Sequence, residues 1–151
     1  MALDVVPVTE QTAALWREIH NRVIAPSPLS LDDVRERLTR NRLTLGYVDG
    51  VVVGNATLRP PTSGQRKVTV IVRVLPEHRG RGYGTEYAAW ILSEAAALGV
   101  DRVETVVLAA NDAGLRFALR HGFVEHDRYT VTEGGAEYVD LSLSRSGGHT
   151  L

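Results

Sequence analysis

The chain contains no cysteine. That absence excludes a disulfide framework, a thiolate metal site and a cysteine nucleophile, and it fits a reducing, cytoplasmic setting. No charge of one sign dominates: 17 basic against 18 acidic residues leave a formal net charge of −1. Nothing therefore draws the whole molecule toward nucleic acid or an anionic membrane, and neither partner is expected. Any anion site must be local. No apolar run approaches the length that spans a bilayer. The opening Met1-Ala2-Leu3-Asp4 lacks a basic segment followed by an apolar stretch, so no signal peptide is expected. Asn55-Ala56-Thr57 has the form of a glycosylation sequon, which has no expected role without secretion. The five histidines are scattered, and His121 and His126 do not share a helical face, so no metal site is expected.

What is present suits one domain. The 151 residues are enough to bury a core, with residues 1–145 forming the domain and residues 146–151 a flexible Ser/Gly-rich tail. Strand and helix patterns alternate. Leu3 to Val8 reads as a strand, and Thr9 as the N-cap of a helix reaching Val23. Ser30 caps a short helix to about Arg40. Leu43 to Val48 and Val51 to Leu58 flank Asp49-Gly50, a two-residue hairpin signal. Val68 to Leu75 is a β-branched strand stopped by Pro76. A long helix runs from about Gly84 to Leu98, followed by Gly99 where a C-terminal glycine belongs. Val103 to Ala109 reads as a buried strand, Asp112 to His121 as a helix, and Phe123 to Thr132 with Ala136 to Leu143 as a closing strand pair. The expected class is α/β, with a mixed central sheet of about seven strands flanked by about four helices.

Between the Val68 strand and the long helix lies His78-Arg79-Gly80-Arg81-Gly82-Tyr83-Gly84-Thr85. A strand that feeds a glycine-rich loop opening a helix is an anion receptor. The first helical turn leaves amides unpaired, and the helix dipole adds positive charge. Glycine lets the backbone approach a phosphate closely, and the Arg79 and Arg81 guanidiniums match it with forked donors. The Walker loop is excluded because Gly-Lys-Ser/Thr is absent. The dinucleotide fingerprint fits poorly, since the glycines fall at 80, 82 and 84. The kinase glycine loop lacks its companion motifs.

Arg79-x-x-Gly82-x-Gly84, preceded by Val74-x-Pro76, resembles the acyl-CoA signature of the GNAT superfamily of N-acetyltransferases. A second block agrees: Asn111 ends a strand, and Gly122-Phe123 follows one short helix later. The resemblance covers Val68 to Val124 closely and the element order over nearly the whole chain. It implies an acetyltransferase that moves an acetyl group from acetyl-CoA, as co-substrate, to a primary amine of a small molecule or protein by direct attack in a ternary complex. It also implies cofactor-binding roles. Backbone groups of Val72 and Val74 would pair with the pantetheine arm. The amides of Arg79, Gly80, Arg81, Gly82, Tyr83, Gly84 and Thr85 would hold the pyrophosphate. Asn111 would bond the pantetheine near the thioester. The sheet would splay between the strands ending at Leu75 and Ala109, and the thioester would lie in that gap. A homodimer is common among similar proteins.

The chain departs from the family in two places. Some members set a carboxylate base early on the strand before the loop, where this chain has Val68, Thr69 and Val70. The tyrosine that often follows the asparagine by seven residues, as acid for the leaving thiolate, is replaced by Ala118. A water, Tyr129 and Tyr138 are the candidate substitutes for that acid, and Glu10, His20, Glu77, His78 and His121 are conceivable bases. Ala118 also keeps open a non-catalytic acyl-CoA sensor; a third reading is a nucleotide-binding α/β domain. Local sequence leaves Asn111 as a helix cap, a ligand, or both. Arg73, inside an apolar strand, reads either as a cleft residue for an anionic acceptor or as a structural ion pair. Glu104 reads as structural.

Overall fold

The computed structural model describes residues 3–144; the tail expected at residues 146–151 lies outside them. In chain order the elements are β1 (Leu3–Pro7), α1 (Ala13–Val23), α2 (Leu31–Leu38), β2 (Arg42–Val48), β3 (Val51–Arg59), β4 (Lys67–Val74), α3 (Tyr83–Ala96), β5 (Arg102–Leu108), α4 (Asp112–Arg120), β6 (Val124–Thr130) and β7 (Glu137–Ser144). The seven strands form one sheet in the order β1-β2-β3-β4-β5-β7-β6. Only β4 and β5 run parallel; the other neighbours are antiparallel. The expected mixed sheet with four helices is therefore the observed one. Among the described residues, no helix is long and apolar enough to cross a membrane.

Local chemistry explains the boundaries. Asp49 and Gly50 both take positive φ, the twist a two-residue hairpin needs. Ser30 and Asp33 form a reciprocal capping box on α2, with bonds of 3.0 and 2.9 Å. Thr9 does not cap α1. It closes a turn instead, donating its amide to Thr12 Oγ1 at 2.9 Å, so that α1 starts at Ala13.

The sheet is covered on both faces. Tyr87 and Ile91 of α3 and Ala118 of α4 pack with Ala56, Val68, Val70 and Val139. Trp16 and Ile19 of α1 and Val34 of α2 pack with Leu43 and Leu45 on the opposite face. Strand alternation then assigns every residue between. Val70 and Val72 point toward α3 and α4, whereas Ile71 and Arg73 point toward α1. Asn55 of the sequon is fully buried on the α1 face and donates to the Trp16 carbonyl at 3.0 Å, so its amide nitrogen is closed to glycosylation in the folded chain.

Candidate active site

The parallel pairing of β4 with β5 is short. It runs from Lys67↔Arg102 to Thr69↔Glu104 and stops. Glu104 clamps this closed end, with Lys67 Nζ at 3.3 Å and Arg102 Nε at 3.2 Å. Beyond Thr69 the strands diverge, and a cavity of about 90 Å3 opens between residues 70–73 of β4 and residues 105–108 of β5.

The hydrogen-bond parity of β4 determines what faces that opening. The Leu75 amide donates to the Val53 carbonyl at 2.8 Å, so residue 75 turns its backbone groups to β3. Alternation turns those of Val72 and Val74 the other way, into the gap. The Val74 carbonyl is indeed bonded from that side, by Arg79 Nε at 2.9 Å.

A short 3-10 turn, Pro76–His78, leads from β4 into the glycine loop. Gly80 and Gly82 have φ of 79° and 85°, and Gly82 is the N-cap of α3 in the left-handed region. A side chain at either position would be strained, which is why glycine stands there. The amides of residues 80–85 have no partner among the described residues; the first amide of this stretch to bond is that of Glu86, to the Gly82 carbonyl at 3.1 Å. They border a second cavity of about 300 Å3, edged by His78, Arg79, Arg116 and Arg120 with no carboxylate. Its floor includes Val72, Val74 and Asn111. His78 Nδ1 is buried there without a partner.

A sequence model of the Acetyltransferase (GNAT) family matches residues 10–123. The chain belongs to the GNAT acetyltransferase family. Its fold is that of several solved acetyltransferases. Ard1 of Thermoplasma volcanium is 15% identical, with 95% of this chain and 98% of that chain covered at a TM-score of 0.82. The ribosomal-protein-S18-alanine N-acetyltransferase of Escherichia coli is 18% identical, covering 94% and 93% at 0.77. The structure of yncA from Salmonella typhimurium, solved with acetyl-CoA, is 20% identical, covering 95% and 94% at 0.76. No curated protein matches the sequence.

In this GNAT chain Asn111 is the N-cap of α4: its Oδ1 accepts the Gly114 amide at 3.0 Å. Its Nδ2 has no partner among the described residues, and the residue lines both cavities. Ala118 is buried and lines the gap. His121 also lines the gap, but its Nδ1 donates to the Phe117 carbonyl at 2.9 Å and its ring packs 4.2 Å from that of Phe117.

Tyr129 and Tyr138 lie across from one another on β6 and β7, rings 6.0 Å apart, on the α1 face. Tyr129 donates to Asp140 Oδ1 at 2.9 Å; burial and that carboxylate push its pKa up to about 12. The Tyr138 hydroxyl is bonded to Ser27 Oγ. Of the conceivable bases, Glu77 pairs with Arg22 at 2.9 Å and Glu10 with Arg35 at 2.7 Å, both on the surface.

Arg73 makes no ion pair with a carboxylate among the described residues. It is 6% exposed, donates to Asn55 Oδ1 and Thr57 Oγ1 at 3.2 and 3.3 Å, and lies over the Trp16 ring at 5.4 Å. Its Nε is buried without a partner. Burial, then Arg59 and Arg37, push its pKa down to about 9. His20, stacked on Trp16, is held neutral: burial first, then Arg73, push it down to about 4. Its Nδ1 faces the acceptor oxygen Asn21 Oδ1 at 3.0 Å and so carries the ring proton. Sequence reading missed Arg37, Arg59, Arg116 and Arg120 as cavity residues. For Arg59 a signal existed, since period-two spacing from Arg59 through Thr57 to Asn55 places it on the face that Arg73 shares across the β3–β4 register.

Proposed function

We propose that the chain transfers an acetyl group from acetyl-CoA to a primary amine of a small molecule or protein within a ternary complex. One observation carries this: the loop with the unpartnered amides at residues 80–85 borders the same cavity as Val72, Val74 and Asn111 of the β4–β5 gap. A diphosphate on those amides is favoured by the α3 dipole and by Arg79. The pantetheine arm then lies along β4 like an added strand, bonded to the backbone of Val72 and Val74. Asn111 Nδ2 donates to it near the thioester.

The amine enters from the α1 face. Its nitrogen attacks the thioester carbonyl, a C–N bond forms, the C–S bond breaks, and the CoA sulfur leaves with the proton that the amine loses. A thiol pKa near ~8.5 makes this leaving group tolerable without a strong acid. Holding the two reactants in attack geometry supplies much of the rate. Tyr138 is better suited than Tyr129 to pass a proton, because Tyr129 gives its own to the Asp140 carboxylate whereas the Tyr138 partner is a neutral hydroxyl, Ser27 Oγ.

Calorimetry with CoA and acetyl-CoA tests the cradle. Gly82→Asp places a carboxylate among the amides, and Gly82→Asn has the same shape without the charge. The aspartate variant is expected to bind CoA at least about tenfold more weakly than the asparagine variant. Equal affinities would remove the cradle. Thiol release over a panel of amines separates the enzyme from a sensor that binds CoA without turnover.

A further inference from the structure

On the α1 face, opposite the side that α3 and α4 cover, a pocket of about 290 Å3 reaches the β4–β5 gap. It shares Ile71, Arg73, Val106 and Leu108 with the gap cavity, so an occupant would meet the thioester there. Three guanidiniums line it: Arg37 from α2, Arg59 from the end of β3, and Arg73 from β4. No aspartate or glutamate lines it. Neither Arg37 nor Arg59 makes a side-chain hydrogen bond or ion pair among the described residues, and the buried Arg73 bonds only neutral oxygens. Asp140, which accepts from Tyr129, acts on Arg59 through space, and Asp33 and Glu36 act on Arg37 from its own helix, but none of the three lines the pocket. The remaining titratable groups are the neutral His20 and the two tyrosines.

Three cations lining one pocket whose wall holds no carboxylate, in a chain of net charge −1, are a local anomaly. Charges of one sign in a low-dielectric pocket are costly to assemble and are retained where a ligand of opposite charge completes them. We propose that this pocket takes the acetyl acceptor and that the acceptor is a small amine that also carries a carboxylate, held by Arg59 and Arg37 with Arg73 beneath; the assignment rests on the acetyl-transfer function proposed above. The volume is at the lower end of small-molecule sites, about 300 Å3 upward. A planar carboxylate matches the guanidinium fork. The cationic wall also disfavours a protonated amine, so it promotes the free base that attacks. A polyamine, which carries only positive charge, is rejected by the same field.

The test compares glycine, aspartate and glutamate with their carboxamides and with spermidine, following thiol release from acetyl-CoA. Carboxamides have less basic amines and react faster intrinsically, so a preference for the acids reports the pocket. The free acids are expected to be used at least about tenfold better in kcat/KM. Arg59→Met and, separately, Arg37→Met on the more accessible α2 should collapse the acid-to-amide ratio, with CoA affinity by calorimetry unchanged. Equal or better use of amides or spermidine overturns the proposal, as does an unaltered ratio in both variants. Binding of N-acetylglutamate, titrated with and without CoA, gives a readout independent of turnover. Heat that Arg59→Met abolishes supports the site, and no heat in either titration overturns it. A protein that binds N-acetylglutamate through Arg59 yet never binds CoA keeps the anion site and loses the acetyl-transfer function; CoA binding without any acid preference does the reverse.

Discussion

Asn111 accepts the Gly114 amide at 3.0 Å, and the contact exists because residue 114 has no Cβ: one built there would lie 2.5 Å from Asn111 Nδ2 and 2.9 Å from its Cγ. The glycine thus fixes where the asparagine side chain sits in the gap. Gly114→Ala is expected to displace that side chain and so to reproduce Asn111→Ala. Each should cost about 1 kcal/mol of stability through the lost cap, and each should raise KM for acetyl-CoA several-fold. The double variant should cost no more than either single one, because both remove the same contact. Steady-state kinetics and thermal melts on the three proteins check this; additive losses would show that Gly114 acts by another route.

The elements around the proposed cofactor side were legible in the sequence because their signals are local. Pro76 stops a strand, glycines 80 and 82 require positive φ, and Asn111 with Gly122 bracket a short helix. The hairpin at Asp49-Gly50 was legible for the same reason. The proposed acceptor side was not, because it is assembled from residues distant in sequence: Arg59 and Arg73 meet through the β3–β4 register, and Arg37 reaches the same pocket from α2. Arg73 illustrates the limit. Local sequence offered a cleft residue or an ion pair; Arg73 does line the gap and the α1-face pocket, but its partners are two neutral oxygens and the Trp16 ring rather than a carboxylate. The start of α1 was misplaced because a threonine followed by a polar turn looks like a cap, while the Thr9 amide bonds a hydroxyl three residues on.

Ala118 stands where the family resemblance implies a tyrosine, and it lines the gap with Asn111 and Phe117. A phenol at this position would point into the space where the thioester is proposed to lie. Ala118→Tyr is expected to raise kcat by about tenfold, within the ~10²–10⁴-fold range open to an acid catalyst. Because the position is buried, overpacking should lower stability by about 1–3 kcal/mol. Thiol-release kinetics and a melting curve read the two effects separately. An unchanged or lower kcat with CoA affinity intact would mean that a proton donor already serves, Tyr138 being the first to replace with phenylalanine.

His20 supplies a test of the fold's pH dependence. Its pKa falls from 6.5 to about 4 on folding, chiefly through burial and secondly through Arg73. Between those values the unfolded chain binds a proton that the native chain refuses, so stability rises with pH across the window and is lost as pH drops from about 6.5 toward 4. A shift of this size corresponds to about 3 kcal/mol in full. The carboxylates whose pKa values are lowered, Asp33, Glu36, Glu77 and Glu125, are exposed and lose their contributions only at more acid pH, so the upper half of the window reports His20. His20→Gln keeps a polar group beside Asn21 and cannot take up the proton. Urea denaturation at pH 7, 6 and 5 should show a falling midpoint for the parent chain and a flat one for the variant. Parallel declines in both proteins would assign the acid sensitivity elsewhere and mean that folding leaves the His20 pKa unshifted.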